Sequence, residues 1–295
     1  VDLSVAAAII PLQISSTAWD GGYNEGTLSE EPGMIKLCTA CSTSYDDDSI
    51  TACKICEDER QFVPASGQQW LAFSALRASH QNKWQQHQAG LLSLQTVPAF
   101  AINQRAFLLQ TPHGNILWDC IANLDDATET LIKALGGIHA IAISHPHYYS
   151  TLQDWAAAFK APVYLHADDR QWLMRQSPYI QWWQGDDLEL LPQVRLLRLG
   201  GHFAGGTVLH WAQNEGIVLS GDIVQVAPGA NTVSFMWSYP NMLPLSAATV
   251  STLVQRLDKV QFNQIYGAFA GREITQDAQK RVKEAAARYI RCLQS

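Results

Sequence analysis

The chain has 295 residues, 47% hydrophobic and 16% charged, with a formal net charge of −7. That apolar content at so little charge excludes a disordered chain and fits one large globular domain or two ordinary ones. No Lys/Arg cluster stands out and no apolar run reaches bilayer-spanning length, so neither a nucleic-acid nor a membrane partner is expected.

Val5 to Ile10 is a short apolar stretch ending at Pro11, but no Lys or Arg precedes Lys36. The positive region of a signal peptide is therefore missing, and a soluble, cytoplasmic chain is expected. Residue 1 is Val and the first methionine is Met34. Residues 1–33 are expected to be a leader, vector-derived or upstream in frame; the alternative is an extension that docks on the domain. Residues 34–62 are short, polar and cysteine-bearing, and residues 63–295 are expected to form the main domain.

Trp70 to Gln95 mixes helical-looking and polar stretches. Ala99–Gln110 and Ile116–Cys120 read as strands about a Pro-His-Gly-Asn turn. Asp125 to Leu135 reads as a helix with an acidic first turn, stopped by Gly136 and Gly137. Strands are then predicted over Ile138–Ser144, Pro162–His166, Val194–Leu199, Thr207–Trp211, Ile217–Leu219 and Gln264–Phe269. Helices are predicted over Leu152–Phe159, Asp168–Arg175, Ala247–Leu257 and Thr275–Leu293. Hairpins followed by strands mixed with helices indicate a layered α/β sandwich.

Six cysteines in so long a chain do not suggest a disulfide framework. Cys38-x-x-Cys41 and Cys53-x-x-Cys56 are two knuckles separated by eleven residues. Four thiolates closing on one tetrahedral ion suit a structural zinc, with no position left for chemistry. Two disulfides, a redox pair or rubredoxin-like iron are the alternatives. Cys120 and Cys292 are isolated and read as inert thiols.

His145-Pro146-His147-Tyr148-Tyr149-Ser150 follows a predicted strand directly, so two imidazoles at i and i+2 share one loop. Gly200-Gly201-His202-Phe203 puts a third in a glycine-rich turn, and Ser220-Gly221-Asp222 ends a further strand in a carboxylate. Three imidazoles with an open position are the ligand set of a catalytic zinc. His80, His87, His113, His139 and His210 read as surface or core residues, and His166 as a neighbour of the site.

A strand followed by HxH, then GH, then SGD resembles the metallo-β-lactamase superfamily over roughly residues 68–295, specific only in combination. The resemblance implies a four-layer αββα sandwich, here with a small zinc-ribbon-like knuckle at its N-terminal side. It places His145, His147 and His202 at the first metal site and Asp222 at the bridging carboxylate. Where the family has Asp and then His for a second metal, this chain has Tyr149 and Ser150, and Phe269 stands at the last histidine. One ion, zinc or iron, is therefore expected at the histidines.

The chemistry this implies is hydrolysis of an ester, lactone, thioester or amide, a small-molecule substrate. Asp222 would ligate or orient water, and Tyr148 or Tyr149 would donate to an oxyanion or leaving group, or simply pack. A mononuclear iron dioxygenase using two histidines and a carboxylate is the alternative enzyme. A non-catalytic metal- or ligand-binding module is the alternative without chemistry. The segment Phe235 to Pro240 lines the pocket or is aromatic core.

Overall fold

The computed structural model describes residues 35–295, all within one compact unit. The proposed leader over residues 1–33 lies outside the described residues.

Two mixed sheets make the centre. One has seven strands in the spatial order Ile180–Trp183, Val163–His166, Ala140–Ala142, Gly114–Trp118, Ala106–Thr111, Leu91–Val97, Gln81–Gln88. Its first four are mutually parallel and the rest antiparallel. The other has six, in the order Asp187–Leu191, Val194–Arg198, Thr207–Trp211, Ile217–Gly221, Gln264–Gly267, Glu273–Ile274.

Alternation along each strand builds three apolar layers, because successive side chains leave a strand on opposite faces. Phe107, Leu109, Ile116 and Trp118 point between the sheets and meet Leu196, Leu209, Ile217 and Leu219 from the other side. Their neighbours Leu108 and Leu117 point outward, onto the helices α2 (Asp126–Ala134) and α3 (Leu152–Phe159). Val208, Val218 and Ile265 leave the second sheet outward, onto α4 (Ala247–Leu257) and α5 (Ala278–Gln294). The short helix α1, Phe73–Ser79, precedes α2 in the chain. The layers therefore run helix, sheet, sheet, helix, as expected.

The predicted α3, α4 and the strand Thr207–Trp211 have the expected limits. Two regions differ. Trp70 to Gln95 holds the strand Trp70–Ala72, α1 and a hairpin formed by Gln81–Gln88 and Leu91–Val97. Gln81–Gln88 is the edge of its sheet and largely exposed, so water, not a core face, sets its composition. The helix expected over Asp168–Arg175 is a 3-10 segment, Ala167–Trp172. The strands Ile180–Trp183 and Asp187–Leu191, one at an edge of each sheet, are not expected from the sequence pattern.

The cysteine-bearing segment is stitched into the larger fold. Lys36–Cys38 pairs with Ser44–Tyr45 on one side and with Trp70–Ala72 on the other, so one small sheet bridges position 63. Among the described residues, no helix is long and apolar enough to cross a membrane.

Candidate metal centres and cavity

The four cysteines come together as their spacing predicts. Sγ of Cys38 lies 3.5 Å from that of Cys56, and Sγ of Cys41 lies 3.5 Å from that of Cys53. All four sulfurs fall within 4.8 Å of one another. A disulfide would need about 2.05 Å, whereas thiolates about 2.3 Å from one tetrahedral ion stand roughly 3.8 Å apart. The Tyr45 hydroxyl donates to Cys53 Sγ at 3.4 Å, and burial pushes the Cys41 thiol well up. A thiol so placed needs a cation to stay ionised, so the donor set fits a structural zinc.

The histidines converge at the C-terminal edge of the two sheets. His145 and His147 sit on the turn after Ala140–Ala142, His202 on the loop between Val194–Arg198 and Thr207–Trp211, and Asp222 just after Ile217–Gly221. Gly221 allows this approach: its φ is +52°, and a Cβ there would lie 2.4 Å from Ser144 Oγ. The ring centroids of the three imidazoles are 5.0–5.1 Å apart, and one nitrogen of each falls within 4.8 Å of the others.

Hydrogen bonds choose which nitrogens face inward. His202 Nδ1 donates to the Trp237 carbonyl at 2.8 Å, leaving the Nε2 lone pair free. His145 Nδ1 contacts Ser144 Oγ at 2.9 Å, so its Nε2 is the free atom. That Nε2 and His147 Nε2 are buried without a hydrogen-bond partner. His202 Nε2 and His147 Nδ1 stand 3.4 Å apart, about the edge of a tetrahedron whose ligands lie 2.0–2.1 Å from zinc. Burial holds His145 and His147 well below the usual imidazole range and His202 down at about 4. All three rings are therefore neutral and able to ligate near pH 7. The arrangement fits one ion.

Asp222 lies beside them, its Oδ2 4.0 Å from His145 Nε2. Tyr148 donates to that same oxygen at 2.7 Å, and Gln225 Nε2 lies 3.4 Å from Oδ1. Burial raises the Asp222 carboxyl to about 6 despite both donors. Tyr148 thus joins the site through Asp222. Tyr149 does not: its ring is buried in the core between the first sheet and its helices. Ser150, at the other position where the family carries a second-metal ligand, docks the cysteine segment instead. Ser44 donates through N and Oγ to the Ser150 carbonyl, at 3.2 and 2.8 Å.

A cavity of about 380 Å³ opens beside the histidines. Its polar end carries His147, Asp222, Gln225 and Arg60, and its walls are Phe62, Ala101, Ile102, Tyr239, Pro240 and Phe269. Of the aromatic segment Phe235 to Pro240, the last two residues line the cavity, while Phe235 is buried against α4 and α5. His166 turns away, contacting the Gly185 carbonyl and Trp183.

Residues that sequence reasoning missed are Ser144, Asp119, Arg60 and Gln225. Asp119 follows the strand Gly114–Trp118 as Asp222 follows its own strand, and accepts from Ser144 N at 2.7 Å. Position after a parallel strand is thus a signal for Asp119. Arg60 has only its place four residues after Cys56 to draw attention to it.

The Metallo-beta-lactamase superfamily model matches residues 101–260. The Uncharacterized protein YmaE of Bacillus subtilis (strain 168) is 44% identical over 266 residues, 88% of this chain and 97% of that one. Among solved structures, the DIM-1 metallo-beta-lactamase superposes with a TM-score of 0.53 at 12% identity, over 70% of this chain and 98% of its own. The mono-zinc form of FIM-1 from Pseudomonas aeruginosa gives 0.52 at 15% identity, over 72% and 95%. At such identities the likeness to these two is one of fold.

Proposed function

Because this chain belongs to the metallo-beta-lactamase superfamily, we propose that it is a metal-dependent hydrolase working with a single ion at His145, His147 and His202. The observation that carries this reading is the convergence of three neutral, buried imidazoles beside a carboxylate at the polar end of a cavity. His145, His147 and His202 would hold a zinc ion there, which would supply Lewis acidity and lower the pKa of water toward neutrality.

The remaining steps belong to the chain's own groups. Asp222, whose Oδ2 lies 4.0 Å from His145 Nε2 and is held by Tyr148, would serve as a fourth ligand or accept a hydrogen bond from water and orient it. The Tyr148 hydroxyl stays protonated, because burial and then the Asp222 charge push it far up. It therefore serves as a permanent donor that fixes the carboxylate.

The cavity selects for shape and polarity. Phe62, Ile102, Pro240 and Phe269 take up an apolar body, and the guanidinium of Arg60 is already forked by Asp58. A compact uncharged ester, lactone, thioester or amide suits it better than a polyanion.

Protein purified without chelators is expected to hold two metals per chain, zinc at both positions, by elemental analysis. The variants His145→Ala and His202→Ala should keep the fold, lose one equivalent and lose hydrolysis in an ester and lactone screen. Unchanged activity in either variant rejects the reading. Iron in place of zinc at the histidines would redirect it to dioxygen chemistry.

A further inference from the structure

The segment that follows the second cysteine knuckle reaches the histidine cluster. Arg60 lies four residues beyond Cys56, on a run of turns in which Glu57 N donates to the Cys53 carbonyl and Gln61 N to that of Asp58. Its Nε and Nη2 fork the Asp58 carboxylate at 2.7 and 2.8 Å. Its Nη1 donates to the main-chain carbonyl of His202 at 3.0 Å. The guanidinium carbon lies 3.9 Å from the centre of the Phe203 ring, with Trp172 and Trp237 at 5.2 and 5.5 Å. A planar cation clamped by a fork and stacked among aromatic faces holds its remaining donor in a fixed direction.

The second anchor of His202 runs to the same segment. Its Nδ1 donates to the Trp237 carbonyl, and the next residue, Ser238, donates from Oγ to the Glu59 carbonyl at 2.7 Å. Asn241 Nδ2 donates to that carbonyl as well, at 2.8 Å. Both the backbone and the ring of His202 are therefore tied, directly or through one residue, to Glu59 and Arg60.

We infer that Arg60 is a positioning residue for His202, through which the cysteine-bearing segment holds the third imidazole in its ligating pose. The inference rests on the histidine cluster being a metal site. Groups that orient a ligating histidine change metal affinity typically by about 10–100-fold when removed. Arg60→Met keeps the stem over Phe203 and removes every donor. Arg60→Lys retains one donor that can reach the His202 carbonyl.

The test is a cobalt(II) titration of the full chain with zinc kept in the cysteine site, read by visible absorption. Arg60→Met is expected to weaken cobalt binding at the histidines about 10-fold or more, and Arg60→Lys to recover part of the loss. Equal affinity and spectrum for Arg60→Met and the parent chain would overturn the inference. Hydrogen exchange on cobalt-free protein reads the same clamp with no ion at the histidines. Arg60→Met should expose the amides of 199–206 while the strand Ala140–Ala142 stays protected, and unchanged exchange in that loop overturns the role. A parent chain that binds no cobalt beyond the cysteine site refutes the metal site itself, and the exchange measurement then decides the role of Arg60.

Discussion

Asp169 shows how a single side chain sets a pH dependence outside the histidine cluster. It is 2% exposed and accepts from Gly205 N at 2.8 Å, and burial raises its carboxyl from 3.8 to about 6. Between those values the folded chain holds more of this proton than the unfolded one, so stability falls as pH rises through about 6. The shift corresponds to about 3 kcal/mol. Asp169→Asn keeps the acceptor without the charge, so it should be more stable at pH 7 and have a flatter profile between pH 4 and 6 in urea unfolding. Gly221 tests packing at the same scale. Gly221→Ala places a methyl against Ser144, and should cost about 1–3 kcal/mol and weaken metal uptake at His145.

The helices illustrate what local pattern can and cannot convey. Asp125 was readable as the start of α2, and its carboxylate accepts from Thr128 N at 2.6 Å. It also accepts from Asn82 N at 2.9 Å, tying α2 to the edge strand Gln81–Gln88. Asp125→Ala should therefore lower stability by about 1–2 kcal/mol in chemical denaturation, at the upper end for a helix cap. The ligand-bearing strands were equally legible, because buried strands ending in HPH or SGD combine an apolar run with a chemical signature. Gln81–Gln88 was not, since an exposed edge needs no apolar alternation. Arg60 was illegible for another reason. Its partner His202 is 142 positions away, and no local pattern encodes so distant a contact.

At the scale of the molecule, the two sheets are joined by more than hydrocarbon. Arg105, 1% exposed, donates from Nε and Nη2 to the Gly267 carbonyl, and Nη2 also meets Glu273 at 2.9 Å. The side chain leaves the residue just before the strand Ala106–Thr111 of one sheet and ends on the other. Arg105→Met leaves a carbonyl and a carboxylate without their donor, so a loss of about 3 kcal/mol is expected by calorimetry or urea titration. The layered architecture was recoverable from the order of strands and helices, whereas this cross-tie was not.

The cavity draws Phe62 from before the stretch that matches the superfamily and Phe269 from after it. Trimming the chain to residues 101–260 would remove both of these wall residues and open the chamber to solvent. Any assay of such a fragment would interrogate an unroofed vessel, and a blank result would say nothing of the full-length chain.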